Sequence, residues 1–192
     1  MPNPRFESIL RLLFDEAIRA HMYNGIARAI REEIEAPEFW RGQTVLMASY
    51  YACLREFLLS LSKLLIPHDD SVTLPYLVDY AEQNPEGFAG GDAQTVRKFC
   101  TQAREVLVRL ELLRGDIKML RDDELAHIDK RQIVDPKLIL SAPLAFKSLD
   151  EGVQQIIEFL NDFRELYMKN RFLFQDDYQV AREELRRLFG RK

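Results

Sequence analysis

The stretch VRKFCTQAREVLVRLELLRGDIKML, from Val96 to Leu120, carries the most regular apolar pattern in the chain. Intervals of three and four residues alternate along it without exception, and this spacing returns each side chain to the same face of an α-helix. The apolar positions are Val96, Phe99, Ala103, Val106, Leu110, Leu113, Ile117 and Leu120. We therefore predict one long helix whose apolar seam is covered along its whole length by a partner helix.

Three helical patterns precede this seam. The first runs from Phe6 to Glu35 and is expected to soften at Gly25. The second lies between Gly42 and Pro67, and its apolar residues cover most of its circumference, which predicts a buried central helix. The third is short, from Thr73 to Gln83, and the polar residues 68–71 are expected to supply its N-cap.

After the seam, the helical pattern is interrupted, and two further helices are predicted beyond the interruption. Two prolines interrupt residues 129–147, for which we predict an extended loop. Ser148 and Glu151 have the spacing of a capping box, which predicts that a helix begins there. A basic helix within residues 176–192 is expected at the end, either docked on the bundle or guiding RNA through phosphate contacts. Its apolar residues, expected to dock, are Val180, Leu185, Leu188 and Phe189.

The composition agrees with a single helical domain. The 192 residues are 47% hydrophobic, as is usual for a globular protein. Eight glycines and eight prolines are too few for the many turns of a β-sandwich or barrel. We predict an all-α fold, an antiparallel helical bundle of residues 1–192 in one domain with a short C-terminal helix.

Charge, cysteines and hydropathy exclude several classes of protein. A net charge of −4 argues against a broad nucleic-acid-binding surface. The chain has two cysteines, Cys53 and Cys100, which are too few for a disulfide scaffold and lack the spacing of a zinc site. We expect both to be packing residues, and we expect the protein to lie in the cytoplasm, where thiols stay reduced. The most apolar window, Phe57 to Ile66, is too short to cross a membrane and contains Lys63.

One segment carries residues suited to catalysis. The common zinc, kinase and hydrolase motifs do not occur in the sequence, so no metal or cofactor is expected. In LRDDELAHID, from Leu120 to Asp129, Arg121 precedes His127 by six positions. An imidazole can move a proton near neutral pH, and a guanidinium can hold phosphate oxygens. This pair suits RNA cleavage by the ribose 2′-hydroxyl, which needs no metal.

The geometry of this pair leaves two interpretations open. On a straight helix, six residues at about 100° each place Arg121 and His127 about 120° apart, so they do not share a face. A bend, or a second chain related by a two-fold axis, would bring them together. Alternatively, the acidic run from Asp122 to Glu124 neutralises Arg121 and leaves it structural. We interpret His21 and His68 as surface histidines.

Two segments resemble the HEPN superfamily of helical bundles and, within it, the abortive-infection U type of bacterial defence proteins. One is Leu120 to Asp129, which is similar to that group's Arg, polar residue and Ala-His-x-Asp signature. The other is YYACLREFLLSLSKLL, from Tyr50 to Leu65, with the acidic turn from Asp69 to Leu74 after it. The resemblance spans roughly residues 40 to 170.

The resemblance implies a homodimeric, metal-independent endoribonuclease of a phage-defence or toxin–antitoxin system. Arg121, Asp122 and His127 would occupy the catalytic motif positions, and the adjacent Lys130 and Arg131 are expected to bind RNA. The implied partners are RNA, a second copy of the chain and an antitoxin resembling a nucleotidyltransferase. Other members of the superfamily are inactive, so the alternative is a non-catalytic module that binds nucleic acid or protein.

Overall fold

The fold is an all-α bundle, as predicted. The computed structural model describes residues 3–35, 43–68, 70–88, 92–119, 146–173 and 177–188. Across these ranges there are six α-helices, one 3₁₀ turn at Pro85–Gly87, and no β-strand. The α-helices are α1 (Pro4–Glu35), α2 (Gln43–Leu65), α3 (Leu74–Gln83), α4 (Ala93–Met119), α5 (Phe146–Met168) and α6 (Asp177–Leu188). α1 continues through Gly25, where softening was expected, without a break in its helical hydrogen bonding.

The starts of α3 and α4 are fixed by side-chain caps. Thr73 Oγ1 accepts a hydrogen bond from the backbone N–H of Tyr76 at 3.4 Å. Asp92 Oδ1 accepts one from the backbone N–H of Thr95 at 2.8 Å, and this bond holds the pKa of Asp92 below its usual value. The predicted cap within residues 68–71 is wrong, because Ser71 instead closes a turn by accepting the N–H of His68 at 2.8 Å.

The predicted capping box at Ser148 and Glu151 is also wrong. α5 begins at Phe146, so Ser148 is the third helical residue, whereas an N-cap residue has non-helical dihedral angles. No glycine or proline lies between Phe146 and Ser148, so nothing in this part of the sequence prevents the helix from beginning before the apparent cap. The predicted loop loses its last two residues to this helix, and its remainder, 129–145, lies outside the described residues.

The core is closed by aromatic rings from distant parts of the chain. The Phe6 ring at the start of α1 lies 4.5 Å from the ring of Phe88 and 4.7 Å from that of Tyr167 near the end of α5, centroid to centroid. The Tyr167 hydroxyl donates a hydrogen bond to the backbone oxygen of Asn3 at 2.8 Å. α2 packs along α1 and buries most of its circumference, which confirms the predicted buried helix.

The apolar seam of α4 is buried within this chain. α4 packs against α2, α3 and α5, so three helices share the role predicted for one partner. The ring of Phe99 meets that of Phe163 on α5 edge to face at 4.8 Å. Nearer the end of α4, Leu113 lies against Gly152, and a Cβ at position 152 would collide with the leucine side chain. Glycine thus permits the close approach of α4 and α5.

The described helices were also compared with the requirements of a membrane span. Within the described ranges, none combines the length and the apolar character that crossing a bilayer requires. This agrees with the prediction made from the window between Phe57 and Ile66.

Both cysteines take part in packing, which makes their reactivity predictable. Cys100 is fully buried, and burial raises the pKa of its thiol to about 11. Cys53 is half-buried, and burial raises its pKa as well. Only the thiolate is nucleophilic, and about a thousandth of Cys100 is ionised at pH 8.

We expect a chromogenic disulfide reagent to label native Cys100 slowly at pH 8, with a rate that rises roughly tenfold per pH unit up to pH 10. Single Cys53→Ser and Cys100→Ser variants show which labelling rate belongs to which cysteine. Protein unfolded in urea gives the labelling rate of each thiol without burial. Rapid labelling of Cys100 in the native protein would contradict its burial.

Candidate functional site

The residues predicted to act on RNA lie in one segment between two described helices. Arg121, Asp122 and His127, together with Lys130 and Arg131, fall within 120–145, outside the described residues. The structure describes the helices on either side of this segment: α4 ends at Met119 and α5 begins at Phe146.

These two helix ends lie at the same end of the bundle. Early on α4, Phe99 contacts Phe163 late on α5, whereas Leu113 late on α4 contacts Gly152 early on α5. The two helices are therefore antiparallel. Six residues separate each member of the Leu113–Gly152 pair from its helix end, a distance of about 9 Å along either axis. The segment with the predicted motif is thus attached at both of its ends to this end of the bundle.

A polar cavity of about 770 Å³ lies at this end, between α1, α5 and α6. Its α1 wall consists of His21, Asn24, Gly25 and Arg28, whose spacing of three and four residues places them on one helical face. Its α5 wall consists of Asp150, Glu151, Gln154 and Gln155, which flank the contact of Gly152 with α4. The α6 wall is Tyr178 and Gln179.

The inner wall of the cavity is held by one carboxylate. Asp150 accepts hydrogen bonds from the side-chain amide of Asn24 and from the guanidinium of Arg28. Asn24 is only 3% exposed, and its Oδ1 is buried without a hydrogen-bond partner among the described residues. The Arg28 guanidinium also stacks on the ring of Tyr178, 4.5 Å from the ring centroid. These contacts join all three helices around the cavity.

Polar contacts also hold α6 against α1. The Tyr178 hydroxyl donates a hydrogen bond to the Glu32 carboxylate, and Arg182 lies 3.4 Å from the other oxygen of Glu32. Burial raises the pKa of Tyr178, and the bond to Glu32 raises it further because only the neutral phenol can donate.

The apolar docking face of α6 differs from the predicted one. Leu185 packs against the core as expected, and Ala181 one turn before it is buried. Val180 and Leu188 are exposed, because the face that meets α1 is set by Tyr178, Ala181 and Leu185. Phe189 lies outside the described residues.

The family model described as AbiU2, a HEPN family, matches residues 4–188. The chain belongs to the AbiU2 family of HEPN proteins. The match includes all six described helices and the segment with the predicted motif. Searches of curated proteins and of solved structures gave no significant match.

In this AbiU2-family chain, the cavity contains one residue whose place the sequence did not reveal. His21 was interpreted as a surface histidine, but it is half-buried in the cavity wall, whereas His68 is exposed as expected. The polar residues His21, Asn24 and Arg28, which share one face of α1, were the available signal. Their partners on α5 and α6 lie more than 120 residues away in sequence, so these residues alone could not predict a cavity.

Proposed function

We propose that this AbiU2-family protein is a metal-independent endoribonuclease of a phage-defence or toxin–antitoxin system. The observation that carries the proposal is the family match over residues 4–188, which includes the whole Arg121–His127 motif. In this proposal the protein acts in the cytoplasm on RNA. Lys130 and Arg131 bind the phosphates that flank the cleaved bond, and a nucleotidyltransferase-like antitoxin controls the activity.

The proposed chemistry uses only groups of the protein and the substrate. The ribose 2′-hydroxyl attacks the adjacent phosphorus, its proton passes to a base, and the 5′-oxygen of the next nucleotide leaves with a proton. His127 moves these protons, and Arg121 stabilises the negative charge that builds on the phosphate oxygens. Asp122 occupies the polar position of the motif. The products are a 2′,3′-cyclic phosphate and a free 5′-hydroxyl.

A cleavage assay in EDTA tests this proposal. Single-stranded RNA should be cut, and DNA of the same sequence should remain intact because it has no 2′-hydroxyl. Cleavage of DNA, or loss of RNA cleavage in EDTA, would show that the residues were assigned the wrong chemistry.

The second candidate is a non-catalytic HEPN module that binds nucleic acid or protein. The acidic run from Asp122 to Glu124 favours it, since three carboxylates beside Arg121 can neutralise the guanidinium. The same assay distinguishes the two candidates, because this module binds RNA or a protein partner without cutting.

We propose that the homodimer forms through a face of α4 other than its apolar seam. The seam packs inside this chain, with Val96, Leu110 and Leu113 buried, so it is not available to a second copy. On another face of α4, Val108 and Leu112 are 73% and 83% exposed. At Gly115, three residues further, an added Cβ would meet no atom within 4 Å. A second copy packed on this face about a two-fold axis roughly parallel to α4 would bury both apolar side chains and place the C-terminal ends of the two α4 helices, from which the motif segments continue, side by side.

We expect a dimer at micromolar concentration by light scattering, and we expect Leu112→Asp to weaken it by about 30-fold or more, since a buried charge costs upwards of ~2 kcal/mol at an interface centre. The control is Leu173→Asp, because Leu173 is 91% exposed and lies outside α4. A monomeric parent, or an L112D variant that dimerises as well as the parent, would count against this interface.

A further inference from the structure

We propose that the cavity between α1, α5 and α6 binds a nucleobase, carried either by a free nucleoside or by an unpaired position of an RNA strand. The free-nucleoside form is independent of RNA cleavage. The RNA form rests on the proposed function, because it places a base of the substrate beside the helices that carry the motif segment.

The size and the walls of the cavity fit a ligand of this class. A volume of about 770 Å³ lies within the usual range for small-molecule pockets. Apart from Gly25, each residue of its wall has a polar side chain. An apolar ligand would bury these groups without replacing their hydrogen bonds to water, so the ligand must itself be rich in donors and acceptors.

The charges of the cavity favour a neutral group over a phosphate. Asp150 and Glu151 supply two carboxylates, and Arg28 supplies one guanidinium that already pairs with Asp150 and stacks on Tyr178. A phosphate at this position would lie beside the Asp150 carboxylate, and among the described residues of the wall the one arginine already pairs with that carboxylate. A base is neutral at pH 7, and its phosphates can remain outside in solvent.

The hydrogen-bonding groups of the cavity match the edge of a base. Gln154 and Gln155 are exposed on α5 and form no hydrogen bond with another described residue. Asn24 Oδ1 is buried in the inner wall without a donor among the described residues, so this wall keeps one unsatisfied acceptor. Side-chain amides both donate and accept, so they can pair with the in-plane donors and acceptors of a base.

Calorimetry with adenosine, guanosine, cytidine and uridine tests the proposal without any cleavage step. We expect at least one nucleoside to bind with a millimolar or tighter dissociation constant, and a Gln154→Ala/Gln155→Ala double variant to weaken it at least tenfold. The matched control is Gln94→Ala/Gln102→Ala, two exposed glutamines of α4 away from the cavity. We expect the corresponding 5′-monophosphate to bind no more tightly than the nucleoside, because its phosphate remains outside the cavity.

A hexanucleotide with 2′-O-methyl groups, which cannot be cleaved through the 2′-hydroxyl, separates the two sources of the base. If the hexanucleotide binds more tightly than the nucleoside, and the Gln154/Gln155 double variant loses this binding, the cavity takes a base of RNA. If only the nucleoside binds, the ligand is a free nucleoside. Absence of binding by every probe up to about 10 mM, or binding that the double variant leaves unchanged, overturns the proposal. If the protein binds a nucleoside but cuts no RNA, the proposed function is wrong and this inference stands. If it cuts RNA but binds no probe in the cavity, this inference is wrong and the proposed function stands.

Discussion

Replacing His127 or Arg121 with alanine should lower the rate of RNA cleavage by about 10²- to 10⁴-fold, the usual contribution of a positioned acid–base group or charge stabiliser. The two losses should not add in the double variant, because both groups act on the same transition state. Single-turnover cleavage of a fluorescent RNA in EDTA measures these rates. Folding should be almost unchanged, since polar residues outside a core or cap usually alter stability by less than about 0.5 kcal/mol.

Two matched variants separate catalysis from general effects of charge. His68→Ala removes an exposed histidine, and Arg11→Ala removes an exposed arginine of α1; both should cleave RNA at the parent rate. If the His127 and Arg121 variants also cleave at the parent rate, the structural interpretation is correct, in which Arg121 pairs with its acidic neighbours. Identification of a terminal 2′,3′-cyclic phosphate in the parent reaction provides a separate check of the mechanism.

Two leucines on α4 should differ sharply in their effect on stability. Leu110 is 2% exposed in the seam, so Leu110→Ala should lower the free energy of unfolding by about 2–5 kcal/mol through lost burial and the cavity that remains. Leu112 is 83% exposed, and Leu112→Ala should cost less than about 0.5 kcal/mol in the monomer. The two changes remove the same atoms from the same helix, and only burial distinguishes them.

Urea unfolding followed by circular dichroism measures this difference. The protein concentration must be low enough that dimerisation does not contribute to stability, since binding to the native state raises the apparent value. Equal destabilisation by the two variants would mean that α4 is rotated relative to the described structure.

Local patterns predicted the helices well and their contacts poorly. The spacing from Val96 to Leu120 predicts both the existence of α4 and its buried face, because burial repeats with the helical period. The run from Thr73 to Gln83 predicted α3 correctly, but the capping residues of α3 and α5 were misassigned, because several nearby polar residues can cap a helix and only the backbone shows which one does. The number of helices that cover the seam depends on packing between distant segments, which periodicity does not encode.

For the candidate site as well, the sequence revealed the part formed by neighbouring residues and missed the part formed by distant ones. The motif from Arg121 to His127 was found because its residues are close in sequence, whereas the cavity needed α1, α5 and α6 together. Asp150 joins Asn24 and Arg28 across more than 120 residues, and no local spacing marks such a pair. The docking face of α6 was missed for a related reason: in a short helix with few apolar residues, Tyr178 and Ala181 outweigh Val180.

The contact of Phe6 with Tyr167 also determines how late in translation the bundle can close. The first helix leaves the ribosome early, but its aromatic partner near the end of α5 is added 161 residues later. At about 5–20 residues per second, translation leaves Phe6 without this partner for roughly 8 to 32 s. During that interval the nascent chain exposes an apolar end that chaperones can bind, and the bundle can close only after synthesis is almost complete.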